Sequence, residues 1–156
     1  MKNNIKLRPA SMSDAEFLFK LRNDPETRKA SRDSEKIIWK DHLGWLHKSL
    51  INPNRQIWIA WDEGITMSFP VGTCRSDYEK RDNCYEISWT VAYGARNQGV
   101  GKDMVKILAW RLQLENKNIR AEIKLDNTAS IKIAEFVGMK FHHKVGSILH
   151  YYRIVN

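Results

Sequence analysis

The sequence predicts an α+β fold, and three neighbouring patterns support this prediction. Residues 85–91 alternate polar and apolar side chains, as in a strand with one buried face. A glycine-containing segment, residues 95–102, follows this strand and is predicted to be a strand-to-helix turn. Apolar residues then recur three and four positions apart, as in an amphipathic helix: Met104, Val105, Leu108, Ala109 and Leu112.

The chain before this strand is predicted to hold one strand, three helices and two further strands. Residues 5–8 form the first strand, which ends at Pro9. Ser13 with Glu16 three residues later has the pattern of a helical capping box, and Pro25 ends that helix. The next elements are predicted as helices at residues 26–31 and 36–50, a strand at 56–61, a hairpin turn at 62–64 and a strand at 72–75.

The chain after residue 79 is predicted to continue the same mixture of elements. Gly138 is the expected C-terminal cap of the last helix, since glycine adopts the left-handed backbone that ends many helices. The elements are predicted as a charged loop at residues 79–83, a strand at 84–91, a helix ending near 115–116, a strand at 120–125, a helix at 129–137, and a closing antiparallel pair at 139–141 and 150–154.

Length and composition predict one globular domain covering residues 1–156. The 156 residues are 42% apolar and 28% charged, which is ordinary for a folded protein. The net charge of +8 is spread along the chain rather than gathered in one stripe, so we do not expect a nucleic-acid partner.

Cys74 and Cys84 have no metal-ligand spacing and are expected to be reduced, and no metal is predicted. The chain shows no hydrophobic signal core and no apolar run of about 20 residues, so we expect no membrane partner and a cytoplasmic location.

The segment at residues 95–102 has the properties of a phosphate-binding site. The first N–H groups of a helix have no intrahelical partner, and the helix dipole adds partial positive charge there. Gly99 and Gly101 have no Cβ to keep a ligand from the backbone, and Arg96 and Lys102 add full positive charge. The segment is therefore predicted to bind a phosphate or a pyrophosphate.

Two well-known phosphate-binding motifs do not fit this segment. A dinucleotide fingerprint needs a third glycine, and position 104 is Met. A P-loop needs Ser or Thr after the Gly-Lys pair, and position 103 is Asp. A simple tight turn, with no ligand, remains the alternative interpretation.

Residues 96–101, Arg-Asn-Gln-Gly-Val-Gly, do match Arg/Gln-x-x-Gly-x-Gly/Ala. This pattern resembles the pyrophosphate loop of the GNAT superfamily of acetyl-CoA-dependent N-acetyltransferases, and the predicted element order is similar over almost the whole chain. The resemblance implies a central, mostly antiparallel mixed sheet of six to seven strands flanked by helices, with a gap between the fourth and fifth strands. It also implies that acetyl-CoA is the co-substrate, contacted by Trp89, Thr90, Val91, Arg96, Asn97, Gln98, Gly99, Val100, Gly101, Lys102 and Asn127.

A second resemblance concerns the acceptor of the acetyl group. Residues 22–28, Arg-Asn-Asp-Pro-Glu-Thr-Arg, followed by His42 and Trp45, look like the branch that acetylates nucleotide-linked amino sugars, such as the pseudaminic-acid pathway enzymes. That branch is related to the ribosomal-protein N-terminal acetyltransferases. The resemblance implies substrate contacts at Asn23, Arg28, Trp39 and Trp45. From the residues alone, the two tryptophans are equally compatible with a helical core, and Asn23 with a turn cap.

Two residues are candidates for catalysis. The resemblance makes Glu86 the base that removes the amine proton, although a solvent-facing charge or a partner for a nearby Arg is an open alternative. Family members often place a Tyr seven residues after the position of Asn127 to protonate the leaving thiolate, but position 134 is Ala. Ser130, one helical turn earlier, is the substitute candidate. A thiol with a pKa near ~8.5 needs little help to leave as thiolate.

These observations favour an N-acetyltransferase that moves an acetyl group to the primary amine of a nucleotide-linked amino sugar. A protein N-terminus or an antibiotic amine as the acceptor keeps the chemistry and changes the substrate. A CoA-binding module without turnover is the alternative from another class, motivated by the missing Tyr. The expected partner is a small-molecule amine, and the chain is expected to be a monomer or a homodimer.

Overall fold

The computed structural model describes residues 2–155, and its centre is a mixed sheet. Across these residues seven strands lie in the order β1-β2-β3-β4-β5-β7-β6. Every neighbouring pair is antiparallel except β4 and β5, which are parallel. The strands are β1 (Ile5–Pro9), β2 (Arg55–Glu63), β3 (Ser68–Glu79), β4 (Cys84–Val91), β5 (Asn118–Lys124), β6 (Lys140–Val145) and β7 (Ile148–Arg153). This confirms the predicted α+β class with a mostly antiparallel sheet.

Helices lie on both faces of the sheet. On one face Leu18 and Leu46 pack on Ile57 and Ile59 of β2. The larger core, on the other face, includes Leu108, which is fully buried. The helices are α1 (Ala15–Asn23), α2 (Pro25–Ala30), α3 (Trp39–Ile51), α4 (Val100–Leu114) and α5 (Thr128–Phe136).

The parallel pair of β4 and β5 is short, and this opens the sheet. In the described chain its ladder has three residue pairs, of which Glu86 with Arg120 is the last. Beyond Glu86 the two strands no longer pair, although β4 continues to Val91 and β5 to Lys124. The predicted gap between the fourth and fifth strands is therefore present.

The structure confirms some predicted boundaries and corrects others. The strand at Cys84–Val91 has the predicted limits, and Gly138 ends α5 with a φ of 84°. The hairpin turn expected at residues 62–64 is wrong, because β2 continues to Glu63 and the turn is closed by Gly64 N–H donating to the Met67 carbonyl at 3.1 Å.

Cys74 and Cys84 are buried free thiols, as expected. Over residues 2–155 no helix combines the length and the apolar character needed to cross a bilayer.

The predicted capping box at Ser13 and Glu16 is also wrong. The side chain that closes the turn before α1 is Asp14, whose Oδ2 accepts a hydrogen bond from Ser11 N–H at 2.8 Å. Asp14 also accepts two hydrogen bonds from the Arg8 guanidinium, at 2.7 and 2.9 Å. Glu16 instead pairs with Lys20 on the surface, at 2.9 Å. Serines at 11 and 13 both precede an acidic residue by three positions, so the spacing alone did not choose between them.

We expect the Asp14 carboxylate to make stability depend on pH. Hydrogen bonds from Arg8 lower the pKa of Asp14, with burial opposing and Ser11 N–H adding to the effect. A lowered native pKa means that the stabilisation is present above the ordinary carboxyl value of about 3.9 and is lost as the pH falls through the native value. Asp14→Asn should reduce the free energy of unfolding by about 1 kcal/mol at pH 7, because Arg8 is half exposed.

Urea unfolding at pH 7 and near pH 3 measures this difference. The gap between Asp14→Asn and the native chain should narrow at the lower pH. Glu16→Gln, which removes an exposed pair on the same helix, is the control and should change stability by less than about 0.5 kcal/mol. An Asp14→Asn deficit of equal size at both pH values would contradict the ionic explanation.

Candidate active site

The gap between β4 and β5 opens into one large cleft. Its volume is about 1480 Å³, above the range usual for small-molecule sites. The second half of β4, residues 95–102 and the start of α5 line one side, and α1, α2 and α3 contribute to the other. The arrangement can hold a long cofactor on one side and a second substrate on the other.

The start of α4 presents free N–H groups to this cleft. The Asp103 N–H is the first to be bonded, to the Gly99 carbonyl at 3.1 Å. The N–H groups of Val100, Gly101 and Lys102 have no protein acceptor within the described part of the chain. Three unpaired donors and the positive end of a 15-residue helix form a site for an anionic group.

The two glycines of this segment have different structural roles. Gly99 has a φ of 80°, a left-handed conformation that other residues adopt only with strain. Gly101 is buried, and an added Cβ would lie 2.6 Å from Ile133 Cδ1 of α5. The sequence predicts that both glycines open the backbone to a ligand, but the space beside Gly101 is filled by the packing of α4 against α5.

Arg96 does not present the free charge that the sequence suggested. Its Nη2 donates to Asp24 Oδ1 at 2.7 Å, and its Nε donates to the Val91 carbonyl at 3.1 Å. Lys102 is exposed, with Nζ 5.1 Å from the centre of the Phe136 ring. The free positive charge near the α4 N-terminus is therefore that of Lys102, and the Arg96 side chain has a connecting role.

The second half of β4 has one hydrogen-bonding edge available. Thr90 pairs with Thr73 and Val91 pairs with Gly72 on the β3 side. On the β5 side the ladder has already ended at Glu86. The backbone groups of residues 87–91 that face β5 can therefore bind the amides of an extended ligand, whichever side chains they carry.

Glu86 lies at the point where the two strands separate. Glu86 is among the residues that line the cleft, and its carboxylate forms an ion pair with Arg120, with Nε 3.3 Å from Oε2. Arg120 is the β5 residue opposite Glu86 in the ladder, and it also contacts Asp82 at 3.4 Å. The sequence left three roles for Glu86: a base for the amine proton, a solvent-facing charge, or the partner of an Arg. The structure shows the pair with Arg120, and because Glu86 lines the cleft it can also accept a proton there.

The N-terminus of α5 supplies the next candidate residues. Asn127 caps its own helix, with Oδ1 accepting from Ser130 N–H at 3.2 Å, and both residues line the cleft. Ala134 is fully buried, so the site of the usual Tyr is filled by core packing. Ser130 is then the hydroxyl on α5 closest in sequence to that site.

Of the four predicted substrate contacts, the structure brings only Trp45 to the cleft. The Asn23 side chain holds residue 37 instead, with hydrogen bonds of 2.9 Å to both its N–H and its carbonyl. Trp39 packs edge-on against Phe19, with ring centres 5.1 Å apart. Neither Asn23, Trp39 nor Arg28 is among the residues that line the cleft.

Sequence reasoning missed Arg22 and His42, which both line this side of the cleft. Arg22 Nη2 donates to the Asp33 carbonyl at 2.8 Å, whereas Nη1 is buried with no partner among residues 2–155. His42 is 1% exposed, and its Nε2 donates to the Ala15 carbonyl at 2.8 Å. Burial lowers the pKa of His42, so the ring is neutral and the partnerless Nδ1 is an acceptor. Both residues belong to the segments that carried the second resemblance, which was the available indication.

The fold and this cleft fit an acyltransferase that takes its acyl group from a CoA thioester. Comparison with known proteins agrees. The model of the acetyltransferase (GNAT) domain family matches residues 4–140, so the chain belongs to the GNAT acetyltransferase family. It is an acetyl-CoA-dependent N-acetyltransferase. No curated protein sequence matches the chain.

Solved structures show the same fold at low identity. A domain from Methanocaldococcus jannaschii has a TM-score of 0.85 and 23% identity, covering 97% of this chain and 99% of that one. Spermidine N-acetyltransferase from Vibrio cholerae, bound to CoA and spermine, has a TM-score of 0.84 and 11% identity, with coverages of 97% and 95%. RimL, a ribosomal-protein alpha-N-acetyltransferase bound to CoA, has a TM-score of 0.84 and 12% identity, with coverages of 97% and 94%.

Proposed function

We propose that the enzyme acetylates the primary amine of a nucleotide-linked amino sugar. The observation that carries the acceptor assignment is the pair of partnerless polar atoms on the α1–α3 side of the cleft, Arg22 Nη1 and His42 Nδ1. A buried donor and a buried acceptor without partners cost free energy that a bound ligand can recover. A nucleotide offers both anionic oxygens for the guanidinium and base N–H groups for the imidazole.

The charge of the cleft supports the same acceptor. Among the residues that line it, eight carry a positive charge and five a carboxylate. On the α1–α3 side alone, three lining residues are positively charged (Arg22, Lys29 and Arg32) and two carry a carboxylate (Glu26 and Asp33). This smaller excess favours an acceptor that carries phosphate over a polyamine with several ammonium groups. The aromatic side chain of Trp45 and the neighbouring Ile57 give this side of the cleft an apolar surface for a base or a sugar ring.

We place acetyl-CoA along the opposite side. Its diphosphate accepts hydrogen bonds from the N–H groups of Val100, Gly101 and Lys102. Its pantetheine arm pairs with the free edge of β4 near Trp89 and Thr90. A thioester at this point lies between Glu86 on β4 and Ser130 on α5.

The reaction then follows from these positions. Glu86 takes a proton from the acceptor ammonium, directly or through water, and the freed nitrogen attacks the thioester carbonyl carbon. A backbone N–H of β4 stabilises the oxygen as it gains charge. The C–S bond breaks and the thiolate leaves, while the nitrogen gives up its second proton as the amide forms. That proton goes to solvent or to the thiolate, and Ser130 is the candidate hydroxyl for relaying it to the sulfur. No metal takes part in this proposal. The reduced thiols of Cys74 and Cys84 fit a cytoplasmic location.

A thiol-release assay over amine classes tests the acceptor. The panel contains a UDP-linked amino sugar, the same amino sugar without the nucleotide, spermidine, an aminoglycoside and a peptide with a free N-terminus. We expect kcat/KM for the UDP-linked sugar to exceed that of the free sugar by at least about tenfold. Arg22→Gln should reduce this preference, while Lys20→Gln, an exposed position on the same helix, should not.

Two results would reject the proposal in different ways. A preference for the peptide or the aminoglycoside would keep the chemistry and replace the acceptor. Thiol release at the uncatalysed rate with every amine, despite tight CoA binding, would favour a binding module without turnover.

A further inference from the structure

Helix α2 (Pro25–Ala30) borders the cleft without being packed into a core. None of its six residues is buried. Apolar burial is the usual source of a helix's position in a protein, and α2 lacks it. Its position therefore depends on the polar contacts at its two ends.

The N-terminal contact joins α2 to the cofactor side of the cleft. Asp24 is the N-cap, and its Oδ1 accepts from Thr27 N–H at 3.1 Å and from Arg96 Nη2 at 2.7 Å. The two side chains of the ion pair are only 19% and 24% exposed, so water screens the pair less than a surface pair. Burial opposes ionisation of Asp24, but the hydrogen bonds from Arg96 and Thr27 outweigh it, and the pKa of Asp24 is lowered.

The Arg96 guanidinium also donates a hydrogen bond to β4. While Nη2 binds Asp24, Nε donates to the carbonyl of Val91, the last residue of β4. The backbone of Arg96 belongs to the segment that leads into α4. One side chain thus joins the end of β4, the phosphate-binding segment and the cap of α2, across 72 positions of sequence.

The C-terminal contacts of α2 lie across the cleft on β5. Lys124 Nζ donates to the Lys29 carbonyl at 2.7 Å. Arg32, just beyond the helix, pairs with Glu122. Helix α2 therefore spans the opening between β4 and β5. Its N-terminal cap contacts Arg96 of the phosphate-binding segment (residues 95–102), and its C-terminal end contacts β5.

We propose that Asp24 is a positioning residue that couples the phosphate-binding segment (residues 95–102) to the acceptor side of the cleft, which α1, α2 and α3 form. When CoA binds, it reduces the motion of the phosphate-binding segment. The Asp24–Arg96 pair then also restrains α2 and the neighbouring residues on the acceptor side of the cleft. This proposal rests on the CoA placement of the proposed function. Thermodynamic linkage then requires that acetyl-CoA and acceptor strengthen each other's binding.

Hydrogen exchange with CoA as the probe tests the coupling without an acceptor. In the native chain we expect CoA to slow amide exchange in residues 94–104 and also in residues 24–33. In Asp24→Asn we expect slowing in residues 94–104 alone, since Asn keeps the helix cap but removes the ionic partner of Arg96. Glu16→Gln removes an ion pair of α1 and should behave as the native chain.

The two levels of failure can be told apart. If CoA slows exchange in neither segment of the native chain, the cofactor placement itself fails. Two results would overturn the coupling while leaving the cofactor site in place. In the first, CoA slows amide exchange in residues 94–104 of the native chain but not in residues 24–33. In the second, CoA still slows amide exchange in residues 24–33 of Asp24→Asn. Unfolding curves establish that the variant is folded.

Steady-state kinetics with the best acceptor of the panel give a second readout. We expect Asp24→Asn to raise the acceptor KM by about tenfold, within the usual range of coupling between sites. The CoA dissociation constant should stay within about twofold of the native value. Arg96→Lys should also raise the acceptor KM, because one ammonium cannot copy the planar guanidinium that joins Asp24 and Val91. A uniform loss of both affinities would overturn a positioning role.

Discussion

Gly99→Glu should weaken CoA binding by roughly a hundredfold or more, the largest effect that we expect on affinity. Gly99 holds a φ of 80°, and a side chain in this conformation costs about 1–2 kcal/mol. The new carboxylate would also lie at the helix N-terminus, where the cofactor diphosphate is proposed to bind, and repel it. Isothermal titration with CoA measures the dissociation constant.

The matched control for this variant is Gly146→Glu. Gly146 also has a positive φ, 59°, and stands in open space in the turn between β6 and β7. The control therefore adds the same charge and similar backbone strain away from the cleft, and CoA should bind to it as to the native chain. Equal affinity of Gly99→Glu and Gly146→Glu would remove the α4 N-terminus from the cofactor site.

Glu86→Gln should lower kcat by roughly 100- to 10,000-fold, the range for loss of a general base. Gln keeps the shape of the side chain and a hydrogen bond to Arg120, but it cannot take the amine proton. Because the side chain is at the end of the β4–β5 ladder rather than at the α4 N-terminus, CoA affinity should not change. Thiol release under saturating substrates gives kcat, and titration gives the affinity.

Asp126→Asn removes a carboxylate from the same cleft without touching β4 and serves as the control. Its kcat should stay within about threefold of the native value, since the general field of one exposed charge is screened by salt. A Glu86→Gln enzyme with native kcat would leave Glu86 as the ionic partner of Arg120 alone.

The parts of the fold that depend on local patterns could be predicted from the sequence. Alternation gave the limits of β4, and helical spacing identified α4 from its apolar face. The cap of α1 was misplaced because two serines at 11 and 13 offered the same spacing to an acidic residue. The hairpin turn before β3 was placed too early because Asp-Glu-Gly is a good turn sequence, whereas strand pairing runs on to Glu63. The gap between β4 and β5 came from the family resemblance and not from any residue pattern.

In the candidate site, too, the features that depend on a local motif could be predicted, and those that depend on contacts between distant residues could not. The free N–H groups at the start of α4 follow from a local motif and were predicted. The side-chain partner of Arg96 is 72 residues away and could not be read from spacing, so its charge was misjudged. Asn23 and Trp39 were assigned to substrate because they lie in a recognisable segment, but a segment does not tell which way each side chain points. Arg22 and His42, from the same segments, are among the cleft residues that have a buried polar atom without a partner.

A crystal structure with bound acetyl-CoA tests the central claim most directly. We predict that the diphosphate oxygens lie within hydrogen-bonding distance of the N–H groups of Val100, Gly101 and Lys102. We also predict that the pantetheine arm runs between β4 and β5 past Trp89 and Thr90, with the thioester carbon on the Glu86 side of this contact. A cofactor bound elsewhere, with these three N–H groups free and the space between β4 and β5 empty, would contradict the account.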